Sequence, residues 1–149
     1  MPKIASAGAA FLLAVLWFDM MFDMQTRSHG GEVLPPEVLT SISAYYRRVT
    51  TDAYPMNRLV ALVMLITLAA VVGEIVQGKS PWWISWVSLA LIGVGATLTL
   101  TGTVPNAVRL GSATDTPEVM SSLARSIFRD HQFAFARTLV LLVLQLVAK

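Results

Sequence analysis

The chain has 149 residues, no cysteine, 55% hydrophobic residues and only 13% charged ones, with a mean hydropathy of +0.64, against roughly 25% charged residues in a soluble domain. That composition excludes an ordinary water-soluble fold, and the missing cysteines exclude disulfides, thiolate metal sites, iron–sulfur clusters and a cysteine nucleophile. A net charge of +2, from 11 basic and 9 acidic residues, is too small and too scattered for a nucleic-acid footprint, so no nucleic acid is expected as a partner.

A helix crossing a bilayer needs about 20 mostly apolar residues, because its backbone finds no water there. Four segments meet this requirement, at approximately 4–22, 59–76, 82–104 and 132–148. They predict an all-α integral membrane four-helix bundle forming one domain over 1–149. The first segment reads as a retained span. Its basic end is only Lys3, and Phe18 is followed by Asp19-Met20-Met21-Phe22-Asp23 instead of a small-residue cleavage site.

The connection from Asp23 to Met56 is too long for a plain turn. Pro36 can open a helix over approximately 36–51 that puts Val38, Leu39, Ile42, Tyr45, Tyr46 and Val49 on one side. Such an amphipathic helix suits the membrane interface or a lid. In the third span Trp82, Trp83 and Trp86 follow Pro81 and belong at a headgroup belt, with Trp17 as counterpart at the other face. The run Thr97 to Thr101 alternates like a strand, but the apolar stretch around it is too long for one. Gly93, Thr97 and Thr101 recur every four residues and predict a small-residue packing seam. Thr116-Pro117-Glu118 starts a helix that runs without a breaker into the fourth span, so that helix should protrude well beyond the membrane.

Four spans place both termini on one side and the two long connections on the other. At the latter face gather Asp19 and Asp23 ending span one, Asn57 and Arg58 opening span two, Asn106 and Arg109 after span three, and Asp130, His131 and Arg137 opening span four. The far side receives Glu74, Gln77, Lys79, Gln145 and the termini, as ordinary helix ends do. Interfacial anchoring accounts for most of these charges. Asp19 and Arg137 resist it, since each has apolar sequence around it and an unpaired charge in the bilayer is costly; an Asp19–Arg137 contact is expected. His131, Thr138 and Gln145 form a polar stripe down span four, and His131, titrating near neutrality, is the best general acid or base available. Two carboxylates at i and i+4 with one imidazole, Asp19, Asp23 and His131, could ligate a metal, although this spacing is common by chance. Phosphate loops and dinucleotide fingerprints are absent, so the sequence names no cofactor.

Val104-Pro105-Asn106-Ala107-Val108-Arg109-Leu110 and Arg137-Thr138-Leu139-Val140 resemble elements of the anthrone-oxygenase-like family of small four-helix membrane proteins. That family closes its third helix with a Pro-Asn element and opens its fourth with Arg-Thr before aliphatic residues. The resemblance covers the last third of the chain and implies a bacterial-type member in the inner (plasma) membrane. A histidine commonly precedes the family's arginine by two residues. Phe135 stands there in this chain, so only Asn106 and Arg137 carry over.

Two functions fit these residues. One is a membrane-embedded oxidoreductase or oxygenase-like enzyme taking a lipophilic aromatic or quinone-like small molecule from the membrane lipid. In it Asp19, His131 and Arg137 would be catalytic, and Asn106, Arg109, Asn57, Arg58 and Asp23 would bind substrate. The other is a non-catalytic accessory or scaffold subunit, as a homo-oligomer or in a larger membrane protein complex. A carrier is the weakest reading, since no broken helix pair marks a midplane site. Seven arginines flank the long connections, Arg27, Arg47, Arg48, Arg58, Arg109, Arg125 and Arg129, against Lys3, Lys79 and Lys149 at the other face. The positive-inside rule then puts the long connections in the cytoplasm.

Overall fold

The computed structural model describes residues 2–78 and 80–148, apart from the side chains of residues 56 and 57. Lys79 and Lys149, which enter the charge asymmetry, and the Asn57 side chain therefore lie outside the described residues. The described residues are helical throughout their regular elements: α1 (Pro2–Asp23), α2 (Pro36–Arg47), α3 (Met56–Gln77), α4 (Trp82–Leu98), α5 (Val104–Ser112) and α6 (Pro117–Val147). Prolines 36, 105 and 117 sit in the first turns of α2, α5 and α6, where their missing N–H costs nothing. Gly78 ends α3 in the left-handed conformation at φ +60°, its N–H donating to the Glu74 and Ile75 carbonyls.

Four helices are long and apolar enough to cross a membrane, over Pro2–Thr26, Arg58–Gln77, Trp82–Ser112 and Pro117–Val147. Their outward faces carry large exposed apolar side chains, among them Phe18, Leu65, Val76, Leu100, Phe133 and Leu146. Such a surface has no place in water. The chain is an integral membrane four-helix bundle, as its composition requires.

The third span runs past the expected end at residue 104. Between α4 and α5 a π-helical turn, Thr99–Thr103, widens the winding just before Pro105, so the proline ring and its absent N–H are accommodated and the helix continues to Ser112. At 1.5 Å per residue, 31 residues span about 46 Å, some 16 Å more than a hydrocarbon core of about 30 Å. The fourth span is as long. The two overhangs form a head with α2, whose core is Leu34, Val38, Leu39, Ile42, Tyr46, Ala107, Leu110 and the buried face of α6 from Met120 to Ile127. Hence the amphipathic helix lies on protein. A second π-helical turn, Arg48–Asp52, leads from it back to α3. Arg125 ties the preceding loop down by donating to the backbone carbonyls of Glu32, Gly31 and His29.

The predicted seam of Gly93, Thr97 and Thr101 does not pack within the chain. Nothing lies within 4 Å of a Cβ built at Gly93, and both threonines are exposed. Their hydroxyls donate one turn back, Thr97 to the Gly93 carbonyl at 3.0 Å and Thr101 to the Thr97 carbonyl at 2.8 Å. Each is thereby satisfied against lipid without a neighbouring helix. α4 instead buries Ile84, Ser85, Ser88, Ile92 and Gly95.

Close approach is needed at Gly111 on α5. A Cβ there would fall 2.7 Å from Arg47 N, 2.9 Å from Arg47 Cα and 3.0 Å from Tyr46 C, all backbone atoms of α2. Gly111→Ala therefore forces two helices apart and is expected to cost about 1–3 kcal/mol. Unfolding by SDS in mixed micelles measures this; an unchanged midpoint would mean that α2 does not dock this tightly.

Candidate functional site

Asp19 and Asp23 stand one turn apart on α1 and face the end of α2. Tyr45 and Tyr46 are consecutive there and point in different directions around that helix. As a result each hydroxyl meets a different carboxylate: Tyr45 Oη donates to Asp19 Oδ1 at 2.5 Å and Tyr46 Oη to Asp23 Oδ1 at 2.5 Å. Phe22 stacks on Tyr45 with ring centroids 3.9 Å apart and holds that ring in place. Burial, and then the adjacent Asp19 or Asp23 charge, pushes both phenols well above the ordinary tyrosine value. At neutral pH they are hydrogen-bond donors and never phenolate bases.

The second oxygen of Asp23 accepts from His131. Nδ1 lies 2.7 Å from Asp23 Oδ2, and both residues are buried. Nδ1 is the ring nitrogen that engages the carboxyl, and Nε2 is the one that points away from Asp23. His131 lines a partly open cavity of about 670 Å³ between the spans and the end of α2, within the size range of small-molecule sites. Its deep wall is aliphatic, with Leu12, Val60, Met64, Leu91, Ile92 and Leu141. Its polar lining comes from Asp19, Tyr45, Tyr46, Arg48 and Arg58, from His131, and from Arg137 farther down α6.

Arg137 does not pair with Asp19. Both line the cavity, yet among the described residues Arg137 has neither an ion pair nor a hydrogen bond. The reason lies in α2: Tyr45 reaches Asp19 first and supplies the donor that the sequence had assigned to the arginine. The guanidinium instead lies against Gly95, where a Cβ would come within 2.5–2.8 Å of its atoms. It also borders a smaller recess shared with Thr103 and Asp130, which hydrogen-bond at 3.3 Å.

The other expected site residues divide. Asp23 is fully buried and does not line the cavity, but it is hydrogen-bonded to His131, which does. Arg58 lines the cavity, with its guanidinium over the Tyr54 ring at 4.7 Å. Asn106 and Arg109 do not reach the cavity. They lie on α5, which the π-turn carries out into the head, and Arg109 makes an exposed two-point bond to Asp115 at 2.8 and 2.9 Å that holds this carboxyl below its usual range. No three His, Asp or Glu side chains among the described residues converge as metal ligands. Asp19 and Asp23 turn their oxygens to the tyrosines and to His131 instead. Sequence reasoning placed Tyr45 and Tyr46 on an apolar helix face and missed their role. The available signal was two adjacent hydroxyls opposite carboxylates spaced i, i+4.

The site can therefore hold a lipophilic molecule against an imidazole and a guanidinium, His131 and Arg137. No family model, curated protein or solved structure matches the chain.

Proposed function

We propose that this protein is a membrane-embedded enzyme of oxidoreductase or oxygenase type, acting on a lipophilic aromatic or quinone-like substrate drawn from a bacterial plasma membrane. The observation that carries this reading is an apolar cavity between membrane helices whose lining includes both an Asp23-bonded His131 and an Arg137 that has no anionic partner among the described residues. The resemblance at Arg137-Thr138 points the same way, whereas Asn106 has no part in the site.

Anthrone serves as a representative substrate. His131 Nε2 takes a proton from its ring methylene, and the electron pair of the broken C–H bond moves onto the ring oxygen. Arg137 faces that oxyanion, a placement that lowers the barrier because the charge develops only during reaction. Molecular oxygen is the co-substrate: it accepts the electrons, forms a C–O bond at the former methylene, and loss of water gives the quinone. One anthrone and one O₂ yield one anthraquinone and one water. Asp23 keeps the imidazole in the basic tautomer throughout.

Oxygen uptake and anthraquinone absorbance, measured on purified protein in mild detergent and corrected for spontaneous oxidation, test this. Arg137→Leu is expected to lower turnover by about 10²–10³-fold. Gly95→Ala, which displaces only the flexible guanidinium, should cause a smaller loss. Absence of protein-dependent turnover in the wild type, or a full rate in folded Arg137→Leu, would overturn the proposal.

A further inference from the structure

The opposite end of the bundle holds a second polar cluster that the chemistry above does not use. Glu74 on α3, Ser85 and Ser88 on α4 and Gln145 on α6 are each 2% exposed or less. Gln145 Nε2 donates to Ser88 Oγ at 2.9 Å, and its amide adjoins the Glu74 carboxyl. Ser85 lies one turn before Ser88 on the same buried face of α4. Four buried oxygens have no hydrogen-bond partner among the described residues: Glu74 Oε1 and Oε2, Ser85 Oγ and Gln145 Oε1. No salt bridge to Glu74 occurs among the described residues, although the charge of the chain's N-terminal ammonium acts on it.

A charge acting through space does not satisfy these acceptors, and their excess around one carboxyl is strongly disfavoured unless a proton or a cation completes it at contact range. The donors are all hard oxygens, which suit alkali and alkaline-earth ions. A single carboxylate neutralises a single charge, whereas a divalent ion would leave one charge uncompensated in an apolar interior. We infer that Glu74, Ser85, Ser88 and Gln145 form a binding site for a monovalent alkali cation, independent of the cavity at the other end. Loading exchanges ions: the protonated carboxyl releases its proton to water as Na⁺ or K⁺ takes its place among the oxygens. Glu74 stands one turn before the end of α3, so water at the membrane face is near.

Dicyclohexylcarbodiimide, which modifies protonated carboxyls in apolar surroundings, provides the test. The full-length protein in mild detergent is labelled in choline chloride, NaCl or KCl and the adduct mapped by peptide mass. An adduct at Glu74 is expected, absent in Glu74→Gln. Na⁺ or K⁺ at ten times its Kd should slow its formation about tenfold and raise the melting temperature relative to choline. Ser85→Ala and Gln145→Leu should still label but lose the protection. Equal labelling and equal melting temperatures in all three salts would show the proton to be the sole occupant and overturn the inference, as would a folded protein that forms no adduct at Glu74.

Discussion

His131→Gln is expected to slow anthrone turnover by about 10²–10⁴-fold, the usual contribution of a positioned general base. Glutamine keeps much of the volume and can still hydrogen-bond Asp23, so the cavity should survive and substrate affinity should change little. The loss therefore falls on kcat. In the wild type Asp23 Oδ2 engages Nδ1 at 2.7 Å, so Nε2 is the ring nitrogen that can meet substrate. A variant that turns over at the wild-type rate would remove the imidazole from the mechanism and leave Asp19 as the remaining basic group on the cavity wall. A rise in KM with kcat unchanged would assign His131 to binding alone.

Asp23→Ala is expected to have the largest effect on stability, about 3–5 kcal/mol, read from SDS-titrated unfolding in mixed micelles. Its carboxylate is fully buried and accepts from two different elements, Tyr46 on α2 and His131 on α6. Truncation leaves both donors buried without an acceptor, and their desolvation is not recovered. Tyr46→Phe removes one donor and leaves Asp23 bonded to His131, so it should cost only about 1 kcal/mol. Equal losses in the two variants would mean that the Asp23–His131 contact contributes nothing to folding. Asp23→Ala should also lower turnover in whatever fraction stays folded, because the imidazole loses its fixed tautomer.

Much of the architecture was legible in the chain. A hydrophobic stretch of bilayer length has one stable answer, so the four spans follow from composition and need no knowledge of neighbours. Pro36 and Pro117 mark helix starts by a local rule, and the unbroken pattern after Pro117 announced the long α6. The polar stripe of His131, Thr138 and Gln145 is simple helical spacing, and all three are indeed buried.

Partners were not legible in this way. The charges of Asp19 and Arg137 made them natural companions, but charge does not say who arrives first, and Tyr45 does. Pro105 read as the end of a span, yet a π-turn absorbs it and takes Asn106 and Arg109 into the head. Glu74 and Gln145 read as helix-end residues, yet they are buried with two serines. The sequence by itself determined which segments cross the membrane and at which face the ionisable groups collect, because hydration cost acts on each residue singly. Only the tertiary structure decided which donor meets which carboxylate and where a cavity remains, because those depend on helix rotation and on contacts between residues far apart in the chain.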